Sequence, residues 1–296
     1  MKKGIALILA AVCLLAVLSG CGAKNSVTVG SKQFTENILL GEMYAQLIEA
    51  KTDLKVERKL NLGGTSVCLP AMENGEIDLY FEYTGTAFNE ILNHELTEDT
   101  TGEEILEVSR SELDSQKGIT MFDPLGLNNT FALAVKTDRL EELGVSTISE
   151  LAPIADQLRF GANHVFYTRT RDGYDGLTAA YGLEFREALK MDSSLLYDAA
   201  DKGELDVIIV YATDSLLQKY DMTCLEDDKD LFPPYEGAPV CRNEVLEQYP
   251  ELKDVLNTLA GAIDDKTIQE LNYQVDVEQR DVADVAKEFL TSHGYI

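Results

Sequence analysis

Short apolar stretches alternate with longer stretches of helical periodicity along most of the chain. Residues 26–30 alternate apolar and polar positions like a strand, and apolar residues then recur at helical spacing from Ile38 to Ile48, behind Thr35 as the expected helix cap. The same reasoning predicts further strands at 54–62, 77–81, 132–135, 158–161 and 205–210, a helix from 65 to about 74, and mostly helices in the last sixty residues. This alternation predicts an α/β protein with a mainly parallel sheet.

The N-terminus has the pattern of an export signal. Lys2 and Lys3 precede an apolar run that is too short to span a bilayer, and the run ends in Leu-Ser-Gly followed by Cys21. We expect residues 1–20 to be a lipoprotein signal peptide, Cys21 to carry the lipid, and residues 21–25 to form a short tether. The alternative is an ordinary signal peptide with an incidental cysteine.

Acidic residues outnumber basic ones by 52 to 25, which gives a formal net charge of −27. Removal of Lys2 and Lys3 with the signal would leave −29. Such a charge repels nucleic acid and anionic lipid, so we expect no nucleic-acid partner and contact with the membrane through the lipid anchor only. No later segment approaches about eighteen consecutive apolar residues, so we expect the chain to contain no permease.

The remaining cysteines are Cys68, Cys224 and Cys241. A Cys224–Cys241 disulfide is compatible with export, and free buried thiols are the equal alternative. The three histidines lack the spacing of metal ligands, and no nucleophile motif or phosphate-binding loop is present. We therefore expect no metal, no cofactor and no enzymatic activity.

One segment occurs twice. Residues 75–83 (GEIDLYFEY) align without gaps on residues 203–211 (GELDVIIVY), and each copy ends in a tyrosine, Tyr83 or Tyr211. The acidic part is explained as a common start of a buried strand. The tyrosines would lie at the carboxyl ends of strands, where open α/β sheets bind ligands. Two similar lobes with a cleft between them are therefore expected.

Seven short motifs follow one another along the mature chain: GSKQFTE at 30–36, LGGTS at 62–66, EYTGT at 82–86, NNTFA at 128–132, DGY at 172–174, YATD at 211–214 and FPPY at 232–235. In this order they resemble the substrate-binding proteins of ABC importers for glycine betaine, carnitine and choline. The resemblance implies an α/β, two-lobed periplasmic-binding-protein-like fold of type II, with the ligand cleft between the lobes. Lobe 1 would be residues 26–129 plus 236–296, lobe 2 residues 130–235, with crossings near Asn129 and Tyr235.

The resemblance also implies a function. The protein would capture a small quaternary ammonium compound outside the cell and deliver it to separate permease and ATPase subunits, for osmoprotection or nutrient uptake. It would act as a monomer, anchored by lipid on the extracytoplasmic face of the cell membrane.

A trimethylammonium head donates no ordinary hydrogen bond, and proteins recognise it with the negative faces of aromatic rings. The resemblance places such an aromatic cage at Tyr83, Phe131, Tyr211 and Tyr235. Phe131 stands where the family usually has a tyrosine, and Tyr235 could instead serve as hinge packing.

The polar end of the ligand needs hydrogen-bond donors, which the resemblance places at Lys32, Thr86, Asn129 and Arg169. Arg171 is an alternative to Arg169, because this loop looks one residue longer than usual. Asp214 either orients neighbouring groups or caps a helix.

Three other functions remain open at this point: a binding protein for an amino acid or a polyamine, an enzyme on the same fold, and a surface adhesin or receptor. A site for a primary ammonium usually places a carboxylate in the cleft. The motifs supply no obvious acid apart from Asp214, so we favour a quaternary ammonium ligand.

Overall fold

The computed structural model describes residues 25–97, 100–169 and 171–296. The predicted signal peptide and Cys21 lie outside the described residues. Within them, ten strands form two five-stranded sheets, and we call the parts of the chain that carry these sheets lobe 1 and lobe 2.

The lobe 1 sheet has the strand order β2-β1-β3-β10-β4. Its strands are β1 (Ser26–Lys32), β2 (Lys55–Gly63), β3 (Leu79–Tyr83), β4 (Ile119–Met121) and β10 (Gly237–Arg242). The lobe 2 sheet has the order β7-β6-β8-β5-β9. Its strands are β5 (Phe131–Lys136), β6 (Arg159–Ala162), β7 (Glu187–Lys190), β8 (Val207–Tyr211) and β9 (Met222–Cys224).

Helices cover both sheets. In chain order the α-helices of the described residues are α1 (Thr35–Lys51), α2 (Thr65–Glu73), α3 (Thr84–Thr86), α4 (Gly102–Glu112), α5 (Thr137–Leu143), α6 (Tyr174–Tyr181), α7 (Ser193–Asp201), α8 (Leu216–Lys219), α9 (Asn243–Gln248), α10 (Leu252–Leu256), α11 (Asp265–Asp276) and α12 (Val282–Ser292). Short π-helical or 3₁₀ segments occupy Ala87–Ile91, Leu113–Lys117, Ser149–Gln157 and Phe166–Thr168. None of the described helices combines the length and the apolar character that a membrane crossing requires.

Both sheets are mixed, because one strand in each, β10 or β5, runs against the other four, which share one direction as expected for a mainly parallel sheet. Strands β1 to β3 and β6 to β8 run parallel, whereas β10 and β5 are antiparallel to both of their neighbours. The reversed direction of β5 and β10 follows from the edge of the sheet at which each of these strands starts. The parallel strands of the βα units end at the cleft, while β5 and β10 start there because the chain has just crossed from the other lobe.

The two crossings lie side by side. Asn128 and Glu236 form an antiparallel bridge, and the Asn129 N–H donates to the Tyr235 carbonyl at 3.1 Å. The Tyr235 N–H in turn donates to Asn128 Oδ1 at 2.7 Å. The two connections therefore form one short double-stranded joint. The residue limits given above for the two lobes stay a prediction.

The repeated segment forms the same helix-turn-strand unit in both lobes. Asp78 Oδ2 accepts the Thr28 N–H of β1 at 2.8 Å, and Asp206 Oδ2 accepts the Arg159 N–H of β6 at 2.8 Å. Each copy starts with a glycine of positive φ, 72° at Gly75 and 67° at the second copy, which only glycine adopts readily. The acidic motif thus fastens each strand to its parallel neighbour, and each strand ends in its tyrosine.

The structure decides two local expectations, the cap of helix α1 and the state of the cysteines. The expectation that Thr35 caps helix α1 is wrong: Thr35 is the first helical residue, Phe34 occupies the N-cap position without a capping hydrogen bond, and the Thr35 hydroxyl donates to Asp276. Cys68, Cys224 and Cys241 are all free thiols. Cys224 lies in β9 of one sheet and Cys241 in β10 of the other, so the disulfide alternative does not form.

Candidate ligand-binding site

A cleft of about 670 Å³ lies where the strands of both sheets meet the crossings. The residues that line it include all eight that the sequence predicts for the ligand: Lys32, Tyr83, Thr86, Asn129, Phe131, Arg169, Tyr211 and Tyr235. Arg171 is not among the lining residues, so Arg169 is the arginine of this loop that faces the cleft.

In lobe 1, a buried lysine lies over a buried tyrosine ring. Lys32 Nζ is 5.0 Å from the centre of the Tyr83 ring, and the ammonium pairs with the fully buried Glu82. Glu82 also accepts from the hydroxyls of Tyr80 at 3.0 Å and Thr65 at 3.1 Å. Because a buried charge is tolerated only when it is paired and hydrogen-bonded, Glu82 keeps Lys32 in place at the cleft.

Tyr83 itself is only 4% exposed. Its hydroxyl donates to Glu36 Oε1, which also accepts from Asn129 Nδ2 at 3.1 Å. Burial raises the pKa of the Glu36 carboxyl above its ordinary value of 4.5, and hydrogen bonds from Tyr83 and other donors oppose that rise. Tyr83 therefore uses its hydroxyl inside the protein and offers little ring surface to the cleft.

Lobe 2 repeats the arrangement with other residue types. The Arg169 guanidinium carbon is 5.2 Å from the centre of the Phe131 ring, and Arg169 Nε donates to Asp172 Oδ1 at 2.8 Å. Tyr211, the cross-strand partner of Phe131, stacks on it with ring centres 4.9 Å apart and planes at 22°. Phe131 is 7% exposed and Tyr211 is 48% exposed, so Tyr211 presents most of the ring surface of this lobe.

Tyr235 lies at the joint and is half-buried. Burial raises the pKa of its hydroxyl, and the nearby positive charge of Arg169 opposes that rise. Gly85 makes room for the ring, because a Cβ at Gly85 would lie 2.8 Å from both the Tyr235 ring and the Pro234 carbonyl. The glycine of the EYTGT motif thus positions the tyrosine of the FPPY motif.

The cleft contains more acids than the sequence motifs suggest. Glu36, Glu90, Asp214 and Asp276 all line it, so the expectation of no acid other than Asp214 is wrong. Three of these four carboxylates, however, already accept hydrogen bonds from donors of the protein. Glu36 is bonded as described, Asp214 accepts the Leu216 N–H at 2.9 Å, and Asp276 accepts from Thr35 and from the Ser215 hydroxyl. Asp214 thus supports the start of α8, and Glu90 is exposed.

The family model for the substrate-binding domain of ABC-type glycine betaine transport systems matches residues 25–292. The chain belongs to this family. It is 33% identical to a carnitine transport binding protein of Listeria monocytogenes, over 96% of this chain and 91% of that protein. It is 34% identical to the ergothioneine transport permease and binding protein of Helicobacter pylori, over 92% of this chain but 48% of that protein.

Among solved structures, one described as a glycine betaine/carnitine/choline ABC transporter shares 32% identity with this chain, covers 91% of it and 99% of its own length, and superposes with a TM-score of 0.86. The two-lobed α/β binding-protein fold is therefore confirmed. The family consists of substrate-binding components of transporters, not of enzymes. Within the described residues, no group of three or more His, Cys, Asp or Glu side chains could hold a metal ion.

Besides the acids, Phe34 and Asn272 line the cleft without having been predicted from the sequence. A signal for Phe34 was available, because it is the only apolar residue between Ser31 and Asn37 and lies two residues after the end of β1. Asn272 also lines the cleft, and its Nδ2 reaches Glu36 Oε2 at 3.5 Å and the Thr213 carbonyl at 3.1 Å. Asn272 lies far along the chain on α11, where no local pattern distinguishes it.

Proposed function

We propose that this protein captures quaternary ammonium compounds, such as glycine betaine, carnitine or choline, and delivers them to an ABC importer. One observation carries the proposal. Each lobe presents an aromatic ring and a cationic donor to the same cleft, Tyr83 with Lys32 and Phe131 with Arg169, and Tyr211 and Tyr235 add further rings. Rings suit a trimethylammonium head and cationic donors suit a carboxylate.

The hydrogen bonds of the acids argue against a ligand with a primary ammonium group. Such a group needs carboxylate acceptors, and of the four acids that line the cleft Glu36, Asp214 and Asp276 already accept protein donors, which leaves the exposed Glu90. A methylated ammonium needs no acceptor. It gains from the surrounding negative charge without displacing those hydrogen bonds.

In this proposal the ligand carboxylate meets Arg169 and Lys32, and Thr86 and Asn129 shape the polar end of the site. Ligand would enter an open cleft, and the lobes, limited as predicted at residues 129–130 and 235–236, would close about the joint. The closed form would dock on separate permease and ATPase subunits. We further propose that the protein is a monomer, that it catalyses no reaction, and that a lipid on Cys21 anchors it to the extracytoplasmic face of the membrane.

Calorimetric titration of the purified protein tests the ligand class. The panel consists of glycine betaine, carnitine, choline, ergothioneine, glycine and 3,3-dimethylbutan-1-ol. Glycine replaces the trimethylammonium of glycine betaine by a primary ammonium, and the alcohol replaces the nitrogen of choline by carbon.

We expect at least one trimethylammonium compound to bind about tenfold or more tightly than its matched analogue, because a desolvated cation gains about 2 kcal/mol from an aromatic face. Tighter binding of glycine would instead support an amino-acid receptor. Equal binding of the neutral alcohol would show a merely apolar pocket.

A further inference from the structure

Two aromatic side chains stand out by their exposure. Phe34 is 39% exposed and Tyr211 is 48% exposed, and both line the cleft. They come from different lobes, because Phe34 follows β1 and Tyr211 ends β8. Single exposed apolar residues are ordinary on a protein surface. Rings exposed in one concave site from both of its sides are typical of ligand contact.

The two rings also have matching surroundings. Phe34 stacks on Tyr83 with ring centres 6.2 Å apart and planes at 25°, as Tyr211 stacks on Phe131 at 4.9 Å and 22°. Behind each exposed ring lies a buried ring, and a cation of the protein lies over that buried ring. Each lobe thus holds the same set: an ion-paired cation, a buried ring and an exposed ring.

The two buried rings present little of their surface to the cleft. Tyr83 is 4% exposed and Phe131 is 7% exposed. Lys32 and Arg169 already lie over them. The ring surface that a ligand head can reach from the cleft is therefore mainly that of Phe34 and Tyr211.

Helix stability gives no reason for phenylalanine at position 34. Phe34 is the N-cap of α1, a position where Ser, Thr, Asp and Asn are preferred, and its side chain makes no capping hydrogen bond. The neighbouring side chain Thr35 is directed to Asp276 instead. The position therefore keeps an exposed ring at a place where a polar residue would stabilise the helix better.

We propose that Phe34 is a further lobe 1 ring that contacts the cationic head of the ligand, beside Tyr83 and opposite Tyr211 of lobe 2. Tyr83 also supports Phe34 from behind and fixes its plane. The site then completes only when the lobes close and bring the rings of both lobes to the head. This inference rests on the proposed function and adds a residue that determines specificity for the head group.

The test is calorimetric titration of choline and glycine betaine into the wild type and Phe34→Leu. Leucine keeps apolar bulk but lacks the ring quadrupole, so we expect both compounds to bind about five- to tenfold more weakly. Replacement of Phe34 by mono-, di- and trifluorophenylalanine should weaken binding stepwise, because fluorine depletes the ring face without changing the fold. Val67→Ala is the matched control, since Val67 is 44% exposed on the same lobe and lies outside the cleft lining. Its affinity should be that of the wild type.

The outcomes separate the two ideas. Wild-type affinity in both Phe34→Leu and the fluorinated series overturns the role of Phe34 and leaves the proposed function intact. A wild type that binds no trimethylammonium compound overturns the proposed function itself. A loss that is confined to glycine betaine also contradicts the inference, because Phe34 would then act on the carboxylate and not on the head.

Discussion

Lys32 and Arg169 each lie between an acid and an aromatic ring, but they differ in burial. The side chain of Lys32 is 7% exposed and that of its partner Glu82 is fully buried. The side chain of Arg169 is 30% exposed. Loss of the positive charge should therefore affect stability more at Lys32 than at Arg169.

Arg169→Gln should act more on binding than on folding, with a smaller cost in stability because Asp172, whose side chain is 8% exposed, loses its ionic partner. Charge-assisted hydrogen bonds contribute roughly 1.5–3 kcal/mol each. We expect glycine betaine and carnitine to bind about ten- to a hundredfold more weakly, with choline nearly unchanged because it has no carboxylate. Titration of the three compounds measures this. Equal losses for all three would contradict contact between Arg169 and the carboxylate.

Lys32→Met should mainly damage stability, because it leaves Glu82 charged and buried without its partner. Breaking a buried pair on one side costs roughly 3–5 kcal/mol, and urea unfolding of the variant should show a loss of that order. Lys32→Met/Glu82→Gln removes both charges and should recover a large part of the loss. If the double variant is no more stable than the single one, the ion pair does not hold this site.

Glu36→Gln should change how stability depends on pH. Burial raises the pKa of Glu36, so the folded protein holds a proton that the unfolded chain releases above about pH 4.5. Wild-type stability from this group is therefore complete at low pH and falls as pH rises toward the folded pKa. Thermal unfolding across pH 4 to about 8 should show the variant gaining stability relative to wild type as pH rises. A constant difference would contradict a raised pKa at Glu36.

At the level of elements, the cleft is formed by strands that end at it and by strands that start at it. Phe131 starts β5 beside the end of β8, and Gly237 starts β10 beside the end of β3. Both crossings thus deliver their first residues to the same edge that the βα units reach at their carboxyl ends. This arrangement brings Tyr211 next to Phe131, and Tyr83 next to the joint.

Gly85→Ala tests how the joint positions Tyr235. The new Cβ would lie 2.8 Å from the ring and from the Pro234 carbonyl, so the ring must move. We expect all trimethylammonium compounds to bind more weakly, by about tenfold if one cation–π contact is lost. Gly64→Ala is the matched control, because no atom lies within 4 Å of its Cβ position. Similar affinities in the two variants would show that Tyr235 makes no contact with the ligand head.

The sequence predicted the strands of the βα units well, since β1, β3, β6 and β8 are buried and apolar. It did not predict the short strands β4, β7 and β9, nor β10. Strand β7 is almost entirely exposed and shows no apolar alternation, and β10 contains a proline. Their pairing is decided by distant segments, which a local pattern does not contain.

For the site, the sequence predicted which side chains line the cleft but not how far each is exposed. All eight predicted side chains line one cleft because they follow strand ends and crossings, which motifs identify. Exposure could not be predicted, because it depends on how rings stack after folding. Tyr83 and Tyr211 end equivalent strands, yet one is 4% and the other 48% exposed.

At the scale of the whole molecule, helix α11 of lobe 1 contacts the segment after β8 of lobe 2. Gln269 Nε2 donates to the Ala212 carbonyl at 2.6 Å, and the Ser215 hydroxyl donates to Asp276 Oδ2 at 2.9 Å. With the joint at the crossings, these bonds define a second line of contact between the lobes. Any closing motion must preserve or exchange them.

Cys21→Ala tests the proposed anchor of the whole protein. The signal would still direct export, but no thiol would be present to carry the lipid. We expect the variant in the soluble fraction of the producing cells and the wild type in the membrane fraction. Retention of the variant in membranes after a high-salt wash would contradict anchoring by lipid alone.

Each lobe carries its own cation, buried ring and exposed ring on its own side of the cleft. The ring and cation contacts of each set lie within one lobe, so a substitution in one set leaves the contacts of the other set in place. In a lineage that adapts to a new solute, selection could change one lobe at a time, and each intermediate would retain half of the ancestral contacts to the ligand.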